Sequence, residues 1–425
     1  MDITLPASHL SGHTIAPSSK SALHRALICA SLSDTPTKIR AVGTLCEDVL
    51  ATIDCLRLLG CEILVENSEA LGNKKTFCLS VSPIVADKKE AILDCKDSGA
   101  TLRFLLPVAC ALYERVTVKG SDSLAKRPIR HLIDTLAANG VVFESQTLPI
   151  KTSSILESFE FRIEGNISSQ YVSGLMYALF AKRHIGSNAH ESLEIVSGIS
   201  SRSYLDMTCE MFDTFGIKAT VEQNRVVLSD GKFVSPGLVK AEGCWSSAGI
   251  WFAASLLGND ITVEGLNPRS LQPDKNIASL ANKIASASDK ISIECDDIID
   301  AIPVLAVFAG CRGNAPVEFV RTERLATKES NRIKQIGLLL AKLGIEYKIG
   351  EDTFTVYPAN DAHTPKQAVI DCANDHRIVM AASLASCAPR FVKQNTLFIL
   401  RGADCVAKSY PDFFEDIAAM RVAGA

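Results

Sequence analysis

"LIDTLAANGVVF" (Leu132–Phe143) is a helical apolar pattern that stops at a glycine and passes at once into β-branched residues. Leu132, Ile133 and Leu136 share one helical face, Gly140 suits a left-handed C-cap, and Val141 and Val142 restart the chain as a strand. The phrase recurs as "CLRLLGCEI" around Gly60, "MFDTFGIKATV" around Gly216 and "LLLAKLGIEYKI" around Gly344. Successive glycines stand 80, 76 and 128 residues apart, and the last interval has room for one more copy. "SLANKIASASDKISIECDD" (Ser279–Asp297) fills it, with serine in place of glycine. A sixth copy has to be assembled from the two ends of the chain. A recurring helix-then-strand unit at a near-constant period predicts an α/β protein built from repeats.

The 425 residues exceed one compact core, so two or three domains are expected, and 47% hydrophobic content can fill them. A net charge of −4 provides no general basic field, which argues against nucleic acid as a partner. The 14 cysteines form no CxxC pair and no zinc-spaced Cys/His cluster, so they read as reduced thiols and no metal is expected. "MDITLPASHLSG" has neither a basic nor an apolar leader region, and "IPVLAVFAGC" and "GIWFAASLLG" are too short to span a bilayer. A soluble cytoplasmic protein with no membrane partner is the expectation.

The helix starts are more telling. "PSSKS", "KDSGATLRF", "GNISSQYVSG" and "GCWSSAGIWF" each put serine or glycine where an apolar helical run begins. That is N-cap chemistry, and it leaves N–H groups and partial positive charge free for an anion. Cations lie near several such places. Lys20 is in a first turn, with Ser21 and Arg25 four apart on one face. In "AKRPIRHLIDTL", Pro128 fits a first helical turn and leaves Arg127 at its entrance. In "ATKESNRIKQIGLLLAKLG" the spacing stacks Lys328 on Arg332, with Glu329 three before that arginine, which is the pattern of a solvated helical ion pair. "CANDHRIVMAASLAS" sets Asp375, His376 and Arg377 before an apolar helix; Asp300 opens another, as a helix cap would, and Lys408 precedes a proline.

In order along the chain, "PSSKSALHRA", "LCEDV", "SGATLRF", "AKRPIRHL", "GNISSQ", "SSRSYLDMT", "EGCWSSA", "IIDAIP", "ATKESNRI", "NDHRIVMA" and "CVAKSYPDFFE" resemble the enolpyruvyl transferase family, in its 5-enolpyruvylshikimate-3-phosphate synthase (3-phosphoshikimate 1-carboxyvinyltransferase) branch. The resemblance implies two similar domains, each of three βαβαββ-type repeats about a pseudo-threefold axis. Residues 19–239 would form an inserted domain and residues 1–18 with 240–425 a discontinuous one, with helix N-termini aimed at the cleft between them. It also implies a monomer, no cofactor, and domain closure when substrate binds.

The implied reaction transfers the enolpyruvyl group of phosphoenolpyruvate to the 5-hydroxyl of shikimate 3-phosphate and releases phosphate. The two substrates together carry about five to six negative charges. Lys20, Arg25, Arg127, Lys328, Arg332, Arg377 and Lys408 are a matching set of cations. By the resemblance, shikimate 3-phosphate is held by Lys20, Ser21, Arg25, Ser168, Ser169, Gln170, Ser201, Tyr204, Asp300 and Lys328. Phosphoenolpyruvate is held by Lys20, Gly99, Arg127, Gln170, Arg332, Arg377 and Lys408. Asp300 is the expected base, and Glu329 and Lys20 are the candidate acids.

Four positions depart from the family pattern: Ser18 for glycine, Ala100 for threonine, Cys244 for aspartate and Arg324 for asparagine. Ala100 lies where the resemblance places competition between glyphosate and phosphoenolpyruvate, and the small Gly99 beside it is kept. The sister enzymes that act on UDP-N-acetylglucosamine carry a loop cysteine ahead of the arginine–proline pair, which "VKGSDSLAKRPI" lacks. A binding protein of the same fold without turnover is the alternative from another class.

Overall fold

The computed structural model describes residues 1–186 and 190–421. The chain divides into two compact units, Ser18–Glu242 and Met1–Pro17 with Gly243–Ala425, each with its own apolar core.

In Ser18–Glu242 there are three four-stranded sheets among the described residues. One runs strand Glu90–Asp94, helix Gly99–Leu112, strand Arg115–Lys119, helix Arg130–Ala138 and hairpin Phe143–Ser145 with Ile150–Thr152. The first two strands pair parallel, and the last strand returns antiparallel beside the second. A second sheet repeats this from Phe159–Ile163 through helices Ser169–His184 and Arg202–Thr214 to the hairpin of Ala219–Glu222 and Arg225–Leu228. The third comprises Thr37–Val42, Ile63–Leu71 and Lys74–Val81, with helices Lys20–Ser31 and Glu47–Leu58; its parallel edge strand, Leu238–Lys240, comes from the far end of the unit.

The other unit contains one complete copy: strands Ile291–Glu294 and Val317–Val320, helices Ile302–Arg312 and Arg332–Lys342, and the hairpin Tyr347–Ile349 with Thr353–Val356. Its other two sheets are shorter, and each borrows a strand from the N-terminus. Ile3–Pro6 joins Leu397–Arg401, which pairs with Gln367–Asp371; Ser11–Ile15 pairs with Asp260–Glu264.

The four repeat glycines all sit at positive φ: Gly60 at 81°, Gly140 at 98°, Gly216 at 82° and Gly344 at 67°. At Gly60 a Cβ would also meet the Val85 carbonyl oxygen at 2.3 Å, so no other residue fits without a shift. The serine copy differs. Its helix, Ile277–Ser286, ends at Ala287 in extended conformation, and the strand that follows pairs parallel with Val317–Val320. It opens the next unit and does not make a hairpin, so no left-handed reversal is needed there.

The helices that begin in the serine-rich phrases are core elements. Residues 22–31 of Lys20–Ser31 are buried, as is almost all of Gly99–Leu112 and Ser169–His184. Gly174 lets the last two approach so closely that a Cβ there would meet the Arg103 carbonyl oxygen at 2.1 Å. Such helices can expose only their ends, and their ends carry the polar motifs. The fourteen cysteines are free thiols.

Candidate active site

In Ser18–Glu242, the capping expected from sequence is present at three helix starts. Ser19 accepts from the Ala22 N–H, Ser98 from the Thr101 N–H at 3.2 Å, and Ser168 from the Gln170 N–H at 3.3 Å. Each bond satisfies one donor of the first turn. Lys20, the first residue of its helix, donates to Asp48 Oδ2 at 2.7 Å. Ser169 is buried. Ser201 precedes the Arg202–Thr214 helix in a left-handed conformation, φ 52°, unusual for a side chain with a Cβ.

Arg25 is buried and held by neutral groups: Thr208 Oγ1 at 2.9 Å, the Ser21 carbonyl at 2.8 Å, the Tyr204 carbonyl at 2.7 Å and the face of Phe104. Among the described residues no carboxylate pairs with it. Burial lowers its pKa from the ordinary arginine value. A desolvated cation without a counter-ion gains when an anion arrives.

Gly99 lies against two guanidinium groups; a Cβ would stand 2.7 Å from Arg103 NH1 and 3.2 Å from Arg127 NH1. Arg127 reaches Asp97 at 3.4 Å. Arg103 donates to Gln170 Oε1 at 2.9 Å and to the Pro128 carbonyl at 3.0 Å, joining three of the expected positions, Gly99, Arg127 and Gln170. Pro128 is not in a helical turn. It precedes the Arg130–Ala138 helix, and its carbonyl accepts from Arg103 and from the Tyr171 hydroxyl.

In the second unit, charge concentrates around Asp300. Arg332 donates to its Oδ1 at 2.7 Å and Arg377 to its Oδ2 at 3.0 Å. Burial opposes ionisation of Asp300, but Arg377, Arg332 and Lys328 outweigh it and hold the carboxyl well below the usual range. Asp300 is no helix cap; the helix behind it starts at Ile302 after Ala301. Arg332 is fully buried and also donates to Glu329 Oε2 at 2.6 Å and Asp375 Oδ2 at 2.9 Å. Burial disfavours its charge, yet Asp375, Glu329 and Asp300 together raise its pKa well above the ordinary value.

The Glu329–Arg332 ion pair does form, but it is buried and lies across the helix start instead of on a solvated helical face. Asn331 accepts from the Lys334 N–H and starts the helix at Arg332, leaving Lys328 and Glu329 in the preceding loop. Burial, partly offset by Asp300, lowers the Lys328 pKa to about 8. Asp375 caps the His376–Ser386 helix through the Arg377 N–H, so His376 and Arg377 lie inside its first turn. Lys408 is buried and donates to the Asn374 carbonyl at 2.9 Å, in a turn where Ala373 and Asn374 both have positive φ. Cys244 caps the Trp245–Leu256 helix through its sulfur. Asp274 is buried, accepts from Ser246, and is pushed up to about 6 by burial and then by Asp300.

Sequence reasoning did not single out Asp48, Asp97, Arg103, Asp274 or, as a partner of Arg332, Asp375. Asp48, Asp97, Arg103 and Asp375 stand inside quoted motifs, and that is the available signal. Among the described residues no three His, Cys, Asp or Glu side chains group as metal ligands, and no helix is long and apolar enough to cross a membrane.

The EPSP synthase (3-phosphoshikimate 1-carboxyvinyltransferase) family model matches residues 5–417. A 3-phosphoshikimate 1-carboxyvinyltransferase of Clostridium kluyveri is 31% identical, over 98% of this chain and 97% of that protein. One of Methanopyrus kandleri is 30% identical, over 97% and 96%. Among solved structures, EPSP synthase from Acinetobacter baumannii is similar with a TM-score of 0.73 at 20% identity, covering 99% of this chain and 98% of that one. The enolpyruvyl transferase NikO from Streptomyces tendae gives 0.68 at 14%, covering 98% and 96%. Those two structures bear on the fold alone. With the family model and the relatives both spanning nearly its whole length, the chain belongs to the EPSP synthase family, enolpyruvyl transferases of the shikimate pathway that move the enolpyruvyl group of phosphoenolpyruvate onto shikimate 3-phosphate.

Proposed function

We propose a division of labour for the enolpyruvyl transfer. Shikimate 3-phosphate engages Lys20, Ser21, Arg25, Ser168, Ser169, Gln170, Ser201, Tyr204, Asp300 and Lys328. Phosphoenolpyruvate engages Lys20, Gly99, Arg127, Gln170, Arg332, Arg377 and Lys408.

Asp300 is the base. It takes the proton of the 5-hydroxyl as that oxygen attacks C2 of phosphoenolpyruvate, while an acid, Glu329 or Lys20, protonates C3. The tetrahedral ketal phosphate then loses phosphate as C3 gives its proton back, so atoms and charge balance without a metal or organic cofactor. The observation that carries this reading is the grip of Arg332 and Arg377 on the two oxygens of Asp300. In that state Asp300 is a weak base. Phosphoenolpyruvate, with its carboxylate and phosphate, competes for the same guanidinium groups, and drawing them off raises the Asp300 pKa when a base is needed.

The protein acts as a monomer in the cytoplasm. A binding protein of the same fold would bind both substrates and release nothing. Mass spectrometry of the product tests the reading: shikimate 3-phosphate should gain one enolpyruvyl group, and unchanged substrate after long incubation overturns it. Lys20→Met and Glu329→Gln then separate the two acids, since solvent deuterium enters C3 slowly only where the true donor is lost.

A further inference from the structure

Below the start of the Gly99–Leu112 helix runs a buried chain of hydroxyl groups that no part of the reaction described above uses. Thr101 Oγ1 lies 2.7 Å from Ser98 Oγ, 2.6 Å from Thr52 Oγ1 and 3.4 Å from the Asp48 carbonyl oxygen. Thr52 Oγ1 in turn lies 2.7 Å from His24 Nδ1. Thr52, Thr101, Ser98 and His24 are all buried. They come from three helices: His24 from the one that begins with Lys20, Thr52 from the one that carries Asp48, and Thr101 from the one that begins with Gly99.

The direction of the chain follows from its ends. His24 Nε2 is buried without a partner among the described residues, whereas Nδ1 faces the Thr52 hydroxyl, so we assign the ring proton to Nδ1, where it has an acceptor. Burial, then Lys20 and Arg25, lower the His24 pKa well below the ordinary value, which keeps the ring neutral and this tautomer in place. His24 donates to Thr52, Thr52 to Thr101, and Thr101 to Ser98, whose oxygen also accepts from the Thr101 N–H as the helix cap. Thr52 and Thr101 each accept once and donate onward, and Ser98 accepts twice, from the Thr101 hydroxyl and the Thr101 N–H, an arrangement that makes such a network rigid.

We propose that Thr101 is a positioning residue: its hydroxyl fixes the start of the Gly99 helix against the Asp48 helix, and so sets Gly99 for phosphoenolpyruvate. This rests on the assignment of Gly99 to that substrate.

Thr101→Val keeps the β-branched shape and removes the hydroxyl; Thr101→Ser keeps the hydroxyl. Measured on the full chain, Thr101→Val should raise KM for phosphoenolpyruvate about three- to tenfold, the worth of one neutral hydrogen bond, with KM for shikimate 3-phosphate within about twofold of wild type. Thr101→Ser should restore it. Thr52→Val should have a like effect, and the double variant should be no worse than the larger single one. It also supplies the test if Thr101→Val does not fold. Unchanged KM for phosphoenolpyruvate in the valine variants overturns the proposal, as does an equal rise in both KM values, which a general loosening produces. Wild-type protein that turns over nothing would instead sink the functional assignment beneath it.

Discussion

Arg332 and Arg377 approach Asp300 from its two oxygens, at 2.7 and 3.0 Å, so the carboxylate expected to act as base is held by two guanidinium groups expected to bind phosphoenolpyruvate. On the proposed roles, base strength and substrate binding are linked. Asp300→Asn keeps the shape and removes the proton acceptor, and kcat should fall about 10²- to 10⁴-fold, the usual contribution of a general base. Rapid-quench measurement of the ketal intermediate reads this directly; an unaltered rate of its formation refutes the assignment.

Lys328 should set the alkaline limit of substrate capture. Its pKa of about 8 means that it is charged below that pH and loses its proton above it. If it holds shikimate 3-phosphate, kcat/KM for that substrate falls as the pH rises through about 8, because kcat/KM reports the free enzyme. Lys328→Arg, charged throughout, should move the limb to higher pH. A limb that stays put assigns it to another group.

At Gly99 the prediction is geometric. Alanine there would place a Cβ 2.7 Å from Arg103 NH1 and 3.2 Å from Arg127 NH1, so both side chains must move although the backbone need not. Gly99→Ala should leave Tm within a few degrees of wild type, or raise it, since alanine suits a helix better. KM for phosphoenolpyruvate should rise about tenfold or more. A substantial loss of Tm would show instead that the backbone yields.

Asp375 is a stability determinant as well as a neighbour of the site. It is fully buried, accepts from Arg332 Nε at 2.9 Å and from Ser330 Oγ at 2.9 Å, and caps its own helix. Asp375→Ala leaves part of a buried guanidinium unpaired and should cost about 3–5 kcal/mol in urea unfolding. Asp375→Asn, which can still cap the helix, should cost less. Equal costs would mean that charge contributes little there.

Local chemistry was the legible part of this chain. Ser19, Ser98 and Ser168 were readable as helix caps because a cap acts on N–H groups two or three residues away. Gly60, Gly140, Gly216 and Gly344 were readable as reversals because the change from helical to strand periodicity flanks each one. The copy ending at Ala287 misled because a helix followed by a strand has the same pattern whether that strand closes a hairpin or opens the next unit. The distinction lies in its pairing with Val317–Val320, beyond any local window. Lys328 and Glu329 looked helical because their spacing to Arg332 is a helical one, and only the competition of Asn331 for the helix start decided otherwise. Partners distant in sequence were hardest. Asp48 lies 28 residues from Lys20 and Asp375 lies 43 from Arg332, and no local pattern marks such a carboxylate as a counter-ion. Nothing in the local sequence marks Arg103; what distinguishes it is the approach of Gln170 and Gly99 in the fold.

Phosphate release by the purified protein tests the central claim most directly. With phosphoenolpyruvate and shikimate 3-phosphate both present, phosphate should appear in step with loss of phosphoenolpyruvate, and omitting either substrate should abolish it. Release from phosphoenolpyruvate alone, or none with both substrates bound, would contradict the account.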